Sequence, residues 1–297
     1  MTHSVPHTMQ PYADSRATGR THGALDMLFE RTADGRHILS RLSRRAPMIV
    51  QQALYFDSQW PELPCVYTLS SGGPQVEGDR YSQRIELRAG AAAHIASGAA
   101  TKVAEMTRDY SAVDTLITLG EESYLEWLPE PTILCRGARL HTSTRLVVNP
   151  SATLVYSEIY MAGRLHRGER WEFDIMSART TASWTDGRPL WNEHLVVNPN
   201  SESIRTAGVM THFDVWGSVT VLTRGEYADQ IYDMLPSELT AEGDVAVGVT
   251  HLPNGAGLAV RIVGDESARV KACVRGVCDR VRRVVCGRRL PEEFPWR

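Results

Sequence analysis

Cysteine is scarce in this chain, five among 297 residues, with no CxxC pair and no His/Cys cluster. Neither a disulfide framework nor a structural zinc site is encoded, and the thiols are expected to be reduced. Long apolar runs are missing as well: none approaches the ~18–20 residues that span a bilayer, and Met1 to Gln10 lacks the basic start and apolar stretch of a secretory signal. A cytoplasmic location with no membrane partner is the expectation. Positive charge is not in excess either, since Lys+Arg 32 against Asp+Glu 35 leaves a formal charge of −3. No global field draws the chain to nucleic acid. Several enzyme signatures are absent: GxxxxGK[ST], HExxH, GxSxG, and a GxGxxG opening a helix.

What is present is β patterning, in a chain whose 42% hydrophobic residues suffice for a sizeable core. From Leu25 to about Val263 apolar residues recur mostly with period two, rich in Val, Ile, Thr, Tyr and Trp between turn signals. Residues 138–148 alternate as one long strand, Trp171, Phe173 and Ile175 alternate with their neighbours, and Asp186-Gly187 and Asn254-Gly255 read as hairpin turns. Gly90, Gly120 and Pro150 fall thirty residues apart, each closing one strand and opening the next. That interval suits stacked strand-turn-strand units. The expectation is a mainly β protein: a single large antiparallel, coil-like (β-helical or layered) domain with two short helices, one near the C-terminus.

The first helix is expected over Glu226 to Leu235, stopped by Pro236, and the second over Ser267 to Cys286. In the second, Val270, Val274, Val277, Val281 and Val284 form a stripe, with Arg275, Arg280, Arg282 and Arg283 expected on the other, solvated faces. From Ser267 to Arg297 nine Lys/Arg stand against three Asp/Glu, a local +6 that leaves −9 for the remainder. Residues 1–22 read as a flexible leader, 23–290 as the β-rich domain with its C-terminal helix at 267–286, and 291–297 as a tail.

Candidate chemistry sits in compact clusters. Gly72, Gly73 and Gly78 suit a tight loop whose turn Asp79 caps. Thr101 and Lys102 follow the small residues Gly98, Ala99 and Ala100, where backbones approach closely or a partner docks. In the segment Leu125-Glu126-Trp127-Leu128-Pro129, Trp127 reads as core. Glu158 shares a strand face with Leu154, Tyr156 and Tyr160, so its carboxylate needs either an Arg partner or a polar channel. Arg164 and Glu169 bracket a Gly-, Arg- and His-rich run. Cys273, Cys278 and Cys286 lie five and eight apart on a helix and cannot converge on one ion.

In that order and combination, the clusters 70–80, 97–103 and 125–133, Glu158 and the run 163–170 resemble the UreD family of urease accessory proteins, called UreH in some organisms. The resemblance spans Leu25 to Leu290. It departs from the family pattern in the four residues between the Gly pair and Gly78-Asp79, and in Val103 to Met106 after the lysine. What the resemblance implies is a non-catalytic scaffold that binds apo-urease and the UreF and UreG accessory proteins. Nickel would be in transit, not permanently bound, and GTP hydrolysis would belong to UreG. Asp79, Glu158 and Glu169 are the expected nickel-path residues. Gly72, Gly73, Gly78, Thr101, Lys102, Glu126, Trp127, Pro129 and Arg164 carry the family motifs and partner contacts. A competing reading takes Glu126 and Glu158 as the paired carboxylates of a β-rich glycoside hydrolase, with Trp171, Trp184 or Trp191 as sugar platforms. A third takes 267–289 as a basic nucleic-acid or membrane-surface helix.

Overall fold

The computed structural model of the chain describes residues 5–13, 21–201, 203–235, 240–242 and 244–291. In chain order the strands begin with β1 (His22–Arg31), β2 (His37–Arg45), β3 (Met48–Val50), β4 (Cys65–Ser70), β5 (Arg80–Leu87) and β6 (Ala92–Ser97). They continue as β7 (Thr101–Val103), β8 (Ser111–Leu119), β9 (Tyr124–Leu128), β10 (Thr132–Leu134), β11 (Arg139–Val148) and β12 (Thr153–Met161). After β13 (Ile175–Trp184), β14 (Pro189–Val197) and β15 (Val215–Leu222) comes helix α1 (Gly225–Asp233). Strands β16 (Thr240–Glu242), β17 (Val245–His251) and β18 (Gly257–Gly264) then lead to helix α2 (Ser267–Cys286).

Between β4 and β13 the chain winds between two sheets, laying β4, β6, β9 and β12 side by side in one and β5, β8, β11 and β13 in the other. Each turn of the winding sets a buried apolar or aromatic residue in register with that of the last, so inward-facing side chains stack in columns. Met27, Ile85, Ile117, Leu146 and Ala182 are successive register partners in the seven-stranded sheet. Val66, Ile95, Trp127 and Tyr156 are their counterparts in the eleven-stranded sheet. All nine belong to one buried cluster between the sheets. The thirty-residue recurrence marks the corners of these coils. At one corner Gly120 donates its N–H to the Leu87 carbonyl at 2.8 Å, and a Cβ there would come within 2.9 Å of the Ala89 backbone nitrogen. Any larger residue would push two coils apart.

The mainly β, coil-like architecture is as expected, but strand direction needs a correction. Pairings among β4, β6, β9 and β12, and among β1, β5, β8, β11 and β13, are parallel. A coil that returns to the same sheet after a full turn runs in the same direction, and period-two patterning carries no information about direction. Antiparallel pairing between strands flanks the coils: β1 with β2, β3 with β4, β13 with β14, and the series β12, β15, β18, β17, β16. The two hairpin turns fall there, with Gly187, Asn254 and Gly255 all at positive φ. The alternation expected at Trp171 is not a strand. Trp171 has φ 58°, stacks on Trp216 at 5.4 Å and donates its indole N–H to Asp214, so β13 begins only at Ile175.

Helix α2 covers the outer face of the larger sheet. Val270, Val274, Val277 and Val281 are buried with Val155, Ile159, Val219 and Val260, so the valine stripe packs on its own domain. Part of the expected leader is also packed, since His7–Tyr12 forms a 3-10 turn whose Met9 is buried against Tyr110, Ala112 and Ile175. His22, the last residue of the expected leader, already opens β1, while residues 1–4 and 14–20, the Pro236 stop and the tail from 292 lie outside the described residues. No helix of the described residues is long and apolar enough to cross a membrane.

Candidate functional site

Strands β9 and β12 carry the two carboxylates that stand out in the sequence. Because neighbours in register share a face, Trp127 and Tyr156 point one way and Glu126 and Val155 the other. Glu158 lies two residues beyond Tyr156 and faces the gap between the sheets. Glu126 faces α2.

The gap holds a cavity of ≈ 370 Å³ whose lining mixes apolar side chains such as Leu69, Trp127, Leu140 and Ile159 with Thr115, Thr142, Thr144, Tyr156, Tyr160 and Glu158. Thr144 and Tyr156 are hydrogen-bonded at 3.0 Å, and Tyr160 donates to Glu158 at 3.1 Å. Protein encloses Glu158, yet the residue keeps some accessible surface, and that surface opens on the cavity. Burial pushes its carboxyl above the ordinary carboxylate value, and the bonds from Tyr156 and Tyr160 only partly oppose this. Arg261 also pulls the Glu158 carboxyl down, but as the smallest of these influences, and its guanidinium donates to Glu193 at 2.5 Å. Gly73, Thr101, Lys102, Trp127 and Pro129 line the same cavity, so five of the motif residues meet Glu158 there.

Other expected site residues are held by structural partners. Asp79 is 3% exposed and accepts from the Val76 N–H at 2.9 Å and the Tyr81 hydroxyl at 2.8 Å, capping the turn in which Gly78 has φ +84°. Gly72 packs on Pro47. Glu169 receives two hydrogen bonds from the Arg164 guanidinium, one from Nε at 2.8 Å and one from Nη2. Those bonds hold the Glu169 carboxyl down at about 2. The pair closes the loop after Gly163, where a Cβ would meet the Glu169 carbonyl oxygen.

On the opposite face Glu126 is fully buried in a network not anticipated from the sequence. Arg282 of α2 donates from Nε and Nη2 to its two oxygens, both at 2.7 Å, and from Nη1 to Asp57 at 2.5 Å. The Tyr124 hydroxyl donates to Glu126 at 2.8 Å, and His94 Nδ1 lies 2.7 Å from it. Burial alone would raise the Glu126 carboxyl, but the Arg282 charge and the His94 bond outweigh it and hold it well below the carboxylate range. Arg282, expected on a solvated face, has no exposed surface. Its position carried a signal: Val274, Cys278 and Arg282 are spaced i, i+4 along one ridge, and the first two are apolar.

Glu126 and Glu158 therefore sit on opposite faces of one sheet, the first sealed by ion pairs, and cannot act on one glycosidic bond. The hydrolase reading fails on that geometry, and Trp171 is committed to the Trp216 stack. The five cysteines are free thiols. Burial pushes the Cys286 thiol up to about 12 and Cys278 well above its ordinary value. Among the described residues no group of three His, Cys, Asp or Glu side chains is placed to hold a metal ion.

The molecule is thus a stacked-coil β protein with a chamber of mixed polar and apolar lining between its sheets and a helix locked on its back by a buried arginine. A family model described as UreD urease accessory protein matches residues 21–297. A protein of Brucella suis biovar 1 named urease accessory protein UreD 2 is 39% identical over 270 residues, 90% of this chain and 89% of that protein. The urease accessory protein UreD of Yersinia pseudotuberculosis serotype O:1b is 39% identical over 285 residues, covering 95% and 88%. The chain belongs to the UreD family of urease accessory proteins.

Proposed function

We propose that the chain acts in urease maturation as a non-catalytic cytoplasmic scaffold. It binds apo-urease together with UreF and UreG, GTP hydrolysis belongs to UreG, and nickel passes through without being retained. The observation that carries this reading is family membership over nearly the whole chain. The cavity supports the nickel part. Hydroxyls and the carboxylates of Glu158 and Glu130, the latter already paired with Lys271, are hard, neutral or singly charged donors that hold a divalent cation weakly enough to release it. Thiolates would hold nickel tightly, and burial keeps the Cys278 and Cys286 thiols protonated at neutral pH. Of the three carboxylates named for the path, Glu158 is the one we assign to it, because it alone lines the cavity, whereas Asp79 is tied to the Val76–Tyr81 turn and Glu169 to Arg164.

The test is co-expression of the tagged chain with apo-urease, UreF and UreG. Recovery of the assembly, with urease activation reduced at least several-fold by Glu158→Gln while the assembly stays intact, is the expected result. A chain that purifies alone would sink the scaffold reading, and full activation by Glu158→Gln would sink the assigned path.

A further inference from the structure

Beside the cavity lies a second concavity, a groove of ≈ 510 Å³ that shares Pro74 and Lys102 with it. Its floor is apolar, formed by Pro74, Ile133, Met161 and Leu165. The cations around it fall into two kinds. Arg164 and Arg136 are engaged, by Glu169 and Glu172 respectively. Lys102 and Arg167 are exposed and form no ion pair among the described residues, and against the four cations the lining carries two carboxylates, Glu169 and Glu105, which leaves it with a surplus of positive charge.

An apolar floor of this kind gains from covering it, by about 25 cal/mol per Å² of apolar surface removed from water. Two uncommitted cations at the edge select what covers it. A phosphate chain would use the cations and waste the floor, and an apolar segment would use the floor and leave Lys102 and Arg167 beside a desolvated surface with Glu105 as the single lining carboxylate not already bound to an arginine. A protein segment with apolar side chains flanked by Asp or Glu satisfies both. The backbone here is well fixed, because β7 and β10 pair in parallel through Thr101 to Val103 and Thr132 to Leu134, and Gln75 brackets β7 through two backbone hydrogen bonds. Leu165 and Arg167 sit on the 3-10 turn clamped by the Arg164–Glu169 pair. Both walls are preorganised, which lowers the cost of docking.

We infer that this groove is the docking site for an acidic, apolar-centred segment of a partner protein, seated at the mouth of the intersheet cavity with Lys102 and Arg167 paired to its carboxylates. The inference rests on the proposed scaffold role only for the choice of assembly in the second arm of its test.

In the first arm the purified full chain is titrated with a fluorescent synthetic peptide of alternating Asp and Leu, and with a matched peptide of alternating Lys and Leu. Binding of the acidic peptide alone, weakened about tenfold or more by Lys102→Glu/Arg167→Glu and by raised salt, is expected. Equal binding of both peptides, or no effect of the double variant, overturns the inference. The double variant's thermal midpoint is recorded alongside, since both positions are exposed and it should melt with the parent.

In the second arm the assembly with apo-urease and UreF is treated with a carbodiimide, which joins a lysine amine to a carboxylate in contact with it. A cross-link from Lys102 to a partner Asp or Glu is expected, absent in Lys102→Arg although the assembly persists. An assembly whose Lys102 forms no cross-link and is acetylated as fast as in the isolated chain overturns the groove and leaves the scaffold role standing. Selective peptide binding by a chain that never recovers the assembly does the reverse.

Discussion

Glu126 and Glu158 lie on adjacent strands of one sheet, yet their surroundings push them in opposite directions. Glu126 faces α2 and meets the Arg282 guanidinium, His94 and Tyr124, and its carboxyl is held low. Glu158 faces the cavity, has tyrosine hydroxyls for company, and its carboxyl is raised. A buried carboxylate in this fold is structural or available according to which face of the sheet it takes. The sheet's back is closed by a helix that brings a cation. Its front is closed by another sheet that does not fill the space.

The largest expected effect follows from removing that cation. Arg282→Met leaves Glu126 and Asp57 as buried carboxylates without their counter-ion, a change that costs about 3–5 kcal/mol. Denaturant unfolding should show a correspondingly lower midpoint, and adding Glu126→Gln should recover part of the loss because one of the stranded charges is gone. A variant that unfolds with the parent would mean that the valine stripe alone holds α2. The native pair also sets an acid limit. Glu126 is lowered in the folded state, so its contribution is present above the ordinary value of 4.5 and is lost as pH falls below it.

Glu158 sharpens the comparison with the opposite sign. Its raised carboxyl means that the folded state resists ionisation, so the penalty is absent below 4.5 and grows as pH rises through the folded-state value. Glu158→Gln should therefore melt a few degrees higher than the parent at pH 7 and level with it at pH 4. Destabilisation at pH 7 would show that the carboxylate has a structural cation after all.

The smallest effect belongs to the Arg164–Glu169 pair, which is partly exposed on the arginine side. Arg164→Ala should lower the midpoint by a few degrees at most at pH 7, because a solvated partner is screened. The difference should persist above 4.5 and shrink as pH falls towards 2, where Glu169 takes up its proton in the native chain as well. A difference that does not change between pH 7 and pH 2 would assign the loss to packing in the loop.

By itself the sequence determined what depends on neighbours along the chain. Period-two alternation marked the strands, the glycines and proline thirty residues apart marked the coil corners, and the valine stripe of α2 matched a helix spanning Ser267–Cys286. Tertiary structure decided strand direction, since alternation is the same for parallel and antiparallel neighbours. It also decided the fates of the charged residues. Arg282 looks like its solvated neighbour Arg283 until Glu126, 156 positions away, is brought within 2.7 Å. Asp79, Glu158 and Glu169 are alike as carboxylates in a β-rich chain, and only the folded register gives the first a turn, the last an arginine and Glu158 a cavity. The physical reason is that local patterning selects backbone conformation, whereas the state of a charge is set by what desolvates and pairs it, and those groups arrive from distant parts of the chain.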